Sequence, residues 1–292
     1  MRSSNPVFSR RGFSRTGGYA GFDAPPQAGG PATATAGNPY AQQQTTAPNP
    51  YATNPYAQAP ADQQQGAYAP PVAPGRMTMD DVVAKTGMTL GLVVIAAAAA
   101  WIAELPIGVG FAAALIGFVL AMVNSFKRKP SPALILAYAA FEGVFLGVIS
   151  QYFNERWSGA PMQAVLGTMA VSAGVLVMYK TRIIRVNARF QRFVLAALIG
   201  FVLLAAVNLL VAVIGGGDGL GLRTGGMGIL FGTIGVLIGA AVLAMNFKQI
   251  EDGIAYGAPK EESWLAAFGL TVTLVWIYLE MLRLVAILQG ND

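Results

Sequence analysis

Two glutamates stand inside long apolar runs, Glu142 in YAAFEGVFLG and Glu280 in VWIYLEMLRL, and Arg283 follows Glu280 by three residues. These are the groups best placed to do chemistry. An ionised carboxylate in such a run costs several kcal/mol unless it meets a partner, a wet cavity or a proton. Glu280 and Arg283, spaced i and i+3, share a helix face and can pair. Glu280 then reads either as half of a locking ion pair or as an acid on an ion path, with Arg283 reaching the outer interface. Glu142 has no cationic partner in its own run and is a candidate proton or cation site. The plainer alternative is a protonated side chain bonded to a neighbouring helix backbone.

What is missing narrows the chemistry further. The chain has neither His nor Cys, so the commonest general base, the commonest metal ligand and any thiolate are excluded. Residues Gly215 to Gly221 look like a phosphate loop but lack its Lys-Ser/Thr ending. No nucleophile with a base, nucleotide fingerprint or metal cluster is found. The expectation is a protein that is not an enzyme, with no catalytic residues, no cofactor and no assignable metal. Asn246, Asn208 and Thr273 are the other polar residues of interest in the apolar runs.

Those runs set the architecture. Apolar residues make up 54% and charged residues 11% of the chain, against about 25% charged in a globular protein. From Met77 on, runs of about 20 apolar residues recur, each long enough to cross a bilayer. Seven spans are expected, at residues 84–103, 106–126, 132–153, 161–179, 193–214, 227–247 and 264–288, with Thr78 or Asp80 capping the first. Glycines inside them (Gly143, Gly147, Gly167, Gly200, Gly235, Gly239) mark sites of close helix packing.

The loops give orientation. Lys127, Arg128 and Lys129, then Lys180, Arg182, Arg185, Arg189 and Arg192, then Lys248 and Lys260 fall on one side of seven alternating spans. Arg156 and Arg223 fall on the other. The positive-inside rule places the N-terminus in the cytoplasm and the C-terminus outside, in the cell membrane. Glu251, Asp252, Glu261 and Glu262 make the last cytoplasmic loop acidic, as a solvated face or as a mouth that attracts cations. Residues 1–76, with three NPYA copies and runs of Gln, read as a disordered cytoplasmic tail. It carries no apolar signal segment. The expected partners are the lipid bilayer, calcium or another cation, and a protein that binds the tail; nucleic acid is not expected.

The third run and the stretch MNFKQIEDGIAYGAPKEESWLAAFGLTVTLVWIYLEMLRL resemble the Bax inhibitor-1 family, most of all its actinobacterial branch, over residues 77–290. Gly143-x-x-Leu146-Gly147 is similar to part of the family's Gly-x-x-aliphatic-Gly-Pro motif, with Val148 in place of Pro. Ala164-x-x-x-Thr168 is similar to the element after it. The resemblance implies an all-α membrane fold with six helices around a central seventh. It also implies a pH-sensitive calcium leak gated by two Asp residues, or regulation of membrane proteolysis or stress survival through partners. The two Asp positions fall on Asn246 and Thr273, neither acidic here. Glu280, at i+7 from Thr273, and Glu142 are the carboxylates available in their stead.

Overall fold

A computed structural model describes residues 75–127, 129–215 and 219–290. The tail, except its last two residues, lies outside the described residues. Seven helices follow in order: α1 (Met79–Ile102), α2 (Ile107–Phe126), α3 (Pro132–Arg156), α4 (Ala160–Lys180), α5 (Ala188–Gly215), α6 (Gly225–Ala255) and α7 (Glu262–Gln289). All seven are long and apolar enough to cross a membrane. Among the described residues there is no strand, only an isolated antiparallel bridge between Arg76 and Pro259.

Thr78 caps α1, accepting the Asp81 backbone N–H at 3.1 Å, which satisfies one of the orphan donors of a helix start. The largest boundary difference is at α6, which runs eight residues beyond the expected end. Lys248, Glu251 and Asp252 are therefore helical rather than in a loop, and Asn246 lies inside the helix rather than closing it. A Lys248–Asp252 pair at 2.5 Å and i,i+4 spacing supports the extension. Apolar content locates the part of a helix that lipid surrounds, not the turns that continue into water.

The core gathers on α7. It supplies Leu270 and Ile277, Val275, Phe268, and Leu282 to four separate apolar clusters. It packs directly against α1, α3, α4 and α6. Half of its most apolar stretch is buried, against 11% for α5. Polar pairs tie α7 to three neighbours, among them Thr89–Thr271 at 2.9 Å to α1, Ser150–Tyr278 at 2.6 Å to α3, and Asn246–Thr273 at 2.7 Å to α6. In lipid, where apolar burial does not itself drive helices together, such bonds and close packing hold a bundle. The remaining two helices sit further out than a simple ring of six. α2 packs on α3, and α5 packs on α6, reaching α7 through Phe201 and Trp276, whose ring centroids are 5.7 Å apart.

Most of the expected packing glycines are at contacts. A methyl added at Gly143 would lie 2.5 Å from the Val93 carbonyl oxygen, and one at Gly239 2.8 Å from Ile277. Gly200 is the exception, with nothing near it; it lies on the sparsely packed α5.

Candidate functional site

Glu142 and Glu280, 138 positions apart in sequence, line one cavity of about 600 Å³. Four helices build it. Ala114, Phe118 and Ala121 come from α2; Tyr138, Glu142 and Phe145 from α3; Phe201, Val202 and Ala205 from α5; and Trp276, Glu280 and Arg283 from α7, with Arg223 from the α5–α6 connection. Glu142 stands ten residues into α3, which at 1.5 Å per residue is about 15 Å along the helix, half the thickness of a bilayer core. Gly117 makes room for it, since a methyl there would lie 3.0 Å from Glu142 Oε2. The ion pairs among the described residues are Lys248–Asp252, Lys260–Asp81 and Arg283–Glu280. Glu142 belongs to none of them. Among the described residues, the backbone N–H groups that donate to side chains are those of Asp81, Gly159, Phe190 and Leu220, none of them to Glu142.

Glu280 is held differently. Arg283 Nη2 lies 2.6 Å from Glu280 Oε2, with the two side chains 13% and 9% exposed. The expected i,i+3 pair is therefore formed, and Arg283 does not extend away to the interface. The contact is ionic rather than a well-aligned hydrogen bond, for both contacting atoms, Glu280 Oε2 and Arg283 Nη2, are buried without a hydrogen-bond partner. Glycines on α6 admit the pair: methyls at Gly235 and Gly232 would lie 3.0 Å from Glu280 Cδ and 3.1 Å from Arg283 Nη2. Aromatic rings close over it. Phe201 stacks on Phe231 with centroids 4.4 Å apart, and the Arg283 guanidinium lies 5.7 Å from the Phe231 centroid.

Asn246 and Thr273 are brought together elsewhere. Asn246 Nδ2 donates to Thr273 Oγ1 at 2.7 Å and to the Gly269 carbonyl at 3.3 Å. Thr273 is seven residues from Glu280, about 10 Å along α7, so the five candidate residues form two sites rather than one. Asn246 also lines a second cavity of about 300 Å³ with Met77, Gln249 and Glu262. At the two positions that the family resemblance makes acidic, a neutral hydrogen bond joins α6 to α7. Asn246→Ala and Thr273→Val are expected to be coupled by about 0.6–1.7 kcal/mol. A double-mutant cycle on thermal stability in detergent checks it, and additive effects would mean the bond contributes nothing.

Arg223, Trp276 and Tyr138 were not singled out from sequence. Arg223 had one available signal, as one of two basic residues among the connections on its side of the spans. Trp276 and Tyr138 had none, because an aromatic residue in an apolar run looks the same whether it faces lipid or a cavity. Among the described residues no group of three or more acidic, His or Cys side chains could hold a metal ion.

No curated protein matches the chain in sequence. The family model described as Bax inhibitor 1 like matches residues 5–290, a wider stretch than the 77–290 read from the motifs. With seven apolar helices, four of them packed on the last, and a match that spans nearly its whole length, the chain belongs to the Bax inhibitor-1-like family of multi-pass membrane proteins.

Proposed function

We propose that the chain is a proton-sensitive cation leak pathway of the cell membrane, not an enzyme, with its N-terminus in the cytoplasm. The observation that carries the reading is the shared cavity of Glu142 and Glu280. Glu280 is neutralised by Arg283, so Glu142 supplies the free negative charge at mid-membrane depth. A cation passing that depth gains the attraction that bulk water no longer gives. The other charged or titratable groups on the cavity are Glu280, Arg283, Arg223 and Tyr138. Protonating Glu142 removes the attracting charge, so flux should fall as the medium is acidified. The basic connections, which gather at the end where α1 begins, support that orientation.

Calcium flux into proteoliposomes across the mildly acid to neutral range tests the reading. Glu142→Gln is expected to lower neutral-pH flux about tenfold, the factor given by about 1.4 kcal/mol of lost attraction, and to flatten the pH dependence. Unchanged flux and pH profile in the variant would rule this pathway out.

A second reading, a regulator of membrane proteolysis or stress survival acting through partners, is favoured by the root of the tail. Met77 N–H donates to the Ala258 carbonyl at 2.8 Å, and Lys260 N–H to the Gly75 carbonyl at 2.8 Å. Met77 is buried and lines the same cavity as Asn246. A partner holding the tail would therefore act on the α6–α7 connection. Deleting residues 1–70 should abolish a partner-dependent survival phenotype while leaving flux intact. An unaltered phenotype would count against this reading.

A further inference from the structure

The walls of the Glu142 cavity offer a passing cation one unpaired carboxylate but no cage that would hold a bare divalent ion at rest. Calcium takes about six to eight oxygen ligands. Here Glu142 is the one carboxylate free of an ion pair, Glu280 being engaged by Arg283, and no cluster of acids stands near it among the described residues. The surroundings are aromatic instead: Phe118, Tyr138, Phe145 and Trp276 line the same space. Aromatic faces attract cations that shed water easily, and quaternary ammonium groups above all. The volume of about 600 Å³ lies in the range of small-molecule sites.

The cavity also has a side door. α2 and α5 both line it, yet they do not pack against one another. Phe118 of α2 and Val202 of α5, one on each flank, are 61% and 49% exposed. In a bilayer that gap faces lipid. Arg223 is exposed on the α5–α6 connection, so a cation that comes in by that end passes a positive charge on the cavity's rim. The side route avoids it.

We propose that this cavity binds an amphiphilic organic cation, which enters from the bilayer between α2 and α5 and sets its charge against Glu142 among the aromatic walls. The inference rests on the cavity being the functional site and specifies the class of ligand it takes. Its weakly hydrated charge needs one carboxylate and π faces rather than an oxygen cage, and its apolar body fills the rest.

The test uses the full chain in lipid nanodiscs, with radiolabelled tetraphenylphosphonium as the probe and tetraphenylborate as an anion of the same shape. Empty nanodiscs correct for partitioning into lipid. Saturable phosphonium binding is expected, weakened at least about tenfold by Glu142→Gln and unaffected by Glu155→Gln on the exposed end of α3. The borate should show no saturable binding. Ala205→Phe, which narrows the cavity without touching a charge, should also weaken phosphonium binding and covers the case in which Glu142→Gln does not fold. Equal binding of both ions, or phosphonium binding indifferent to Glu142→Gln and Ala205→Phe, would overturn the proposal. So would the absence of saturable binding. Calcium flux on the same preparations separates the two readings. Loss of flux in Glu142→Gln with phosphonium binding intact would sink the ligand and leave the leak standing. Glu142-dependent phosphonium binding without calcium flux would do the reverse.

Discussion

Gly147→Leu is expected to leave no folded, monodisperse protein in detergent, and Gly143→Leu to do nearly the same. The reason is what stands opposite. A methyl at Gly147 would run into the Ala97 carbonyl oxygen and lie 2.9 Å from Ala100 Cβ; at Gly143 it would lie 2.5 Å from the Val93 carbonyl oxygen and 2.7 Å from Ala96 Cβ. These neighbours are backbone or the first carbon of a side chain, so no rotamer change can relieve them. α1 must move off α3, and with it goes the packing that substitutes for hydrophobic drive in lipid. Overpacking costs about 1–3 kcal/mol even where side chains can adjust, and here they cannot. Two other glycines calibrate the result. Gly167 faces the terminal methyl of Met281, a flexible group that can swing aside, and Gly200 faces open space. Gly200→Ala should be neutral or slightly stabilising, since alanine favours a helix over glycine by about 1 kcal/mol. Size-exclusion profiles and melting temperatures across the four positions check the ordering. A wild-type melting temperature for Gly147→Leu would show that α1 and α3 do not pack this closely.

Breaking the Glu280–Arg283 pair gives the second large effect, and the two halves are not equivalent. Each side chain is at least 87% removed from solvent, with exposures of 9% and 13%. Removing one partner of a buried pair typically costs about 3–5 kcal/mol, because the other charge is left uncompensated. A carboxylate so stranded can neutralise itself by taking a proton, whereas a guanidinium cannot lose one. Glu280→Gln should therefore destabilise more than Arg283→Met. The double variant Glu280→Met/Arg283→Met should recover most of the loss, since apolar replacements of a buried pair are often neutral. Thermal melts of the three variants in detergent read this directly. A double variant no more stable than the worse single one would mean that the aromatic clasp of Phe201 and Phe231, not the charges, holds this region.

Much of this molecule was readable before its fold was known, and the boundary between what was and was not has a physical cause. Seven spans follow from a local property, the length of apolar runs, and the Thr78 cap and the Glu280–Arg283 pair follow from spacing along one helix. The cavity does not, because it depends on α3 and α7, far apart in sequence, standing side by side with α2 and α5 splayed around them. Glu142 was recognisable as an unpaired acid; that Tyr138 and Trp276 line the same cavity was not. The same limit explains the α6 extension. Lys248, Glu251 and Asp252 were visible as charges, but whether charged residues past a span coil into helix depends on i,i+4 pairing such as Lys248–Asp252.

The placement of α7 bears on how the protein is made. Synthesis delivers the helices from α1 onward, so the helix that all four apolar clusters require is the seventh to emerge. Until then α1, α3, α4 and α6 flank an empty slot, with Thr89 of α1 and Ser150 of α3 lacking their α7 partners. Each earlier span can enter the bilayer on its own hydrophobicity, but the bundle can close only after translation reaches α7. A ribosome stalled between α6 and α7 would leave an inserted, unassembled set of helices for membrane quality control, and α7 supplied as a separate polypeptide should rescue it.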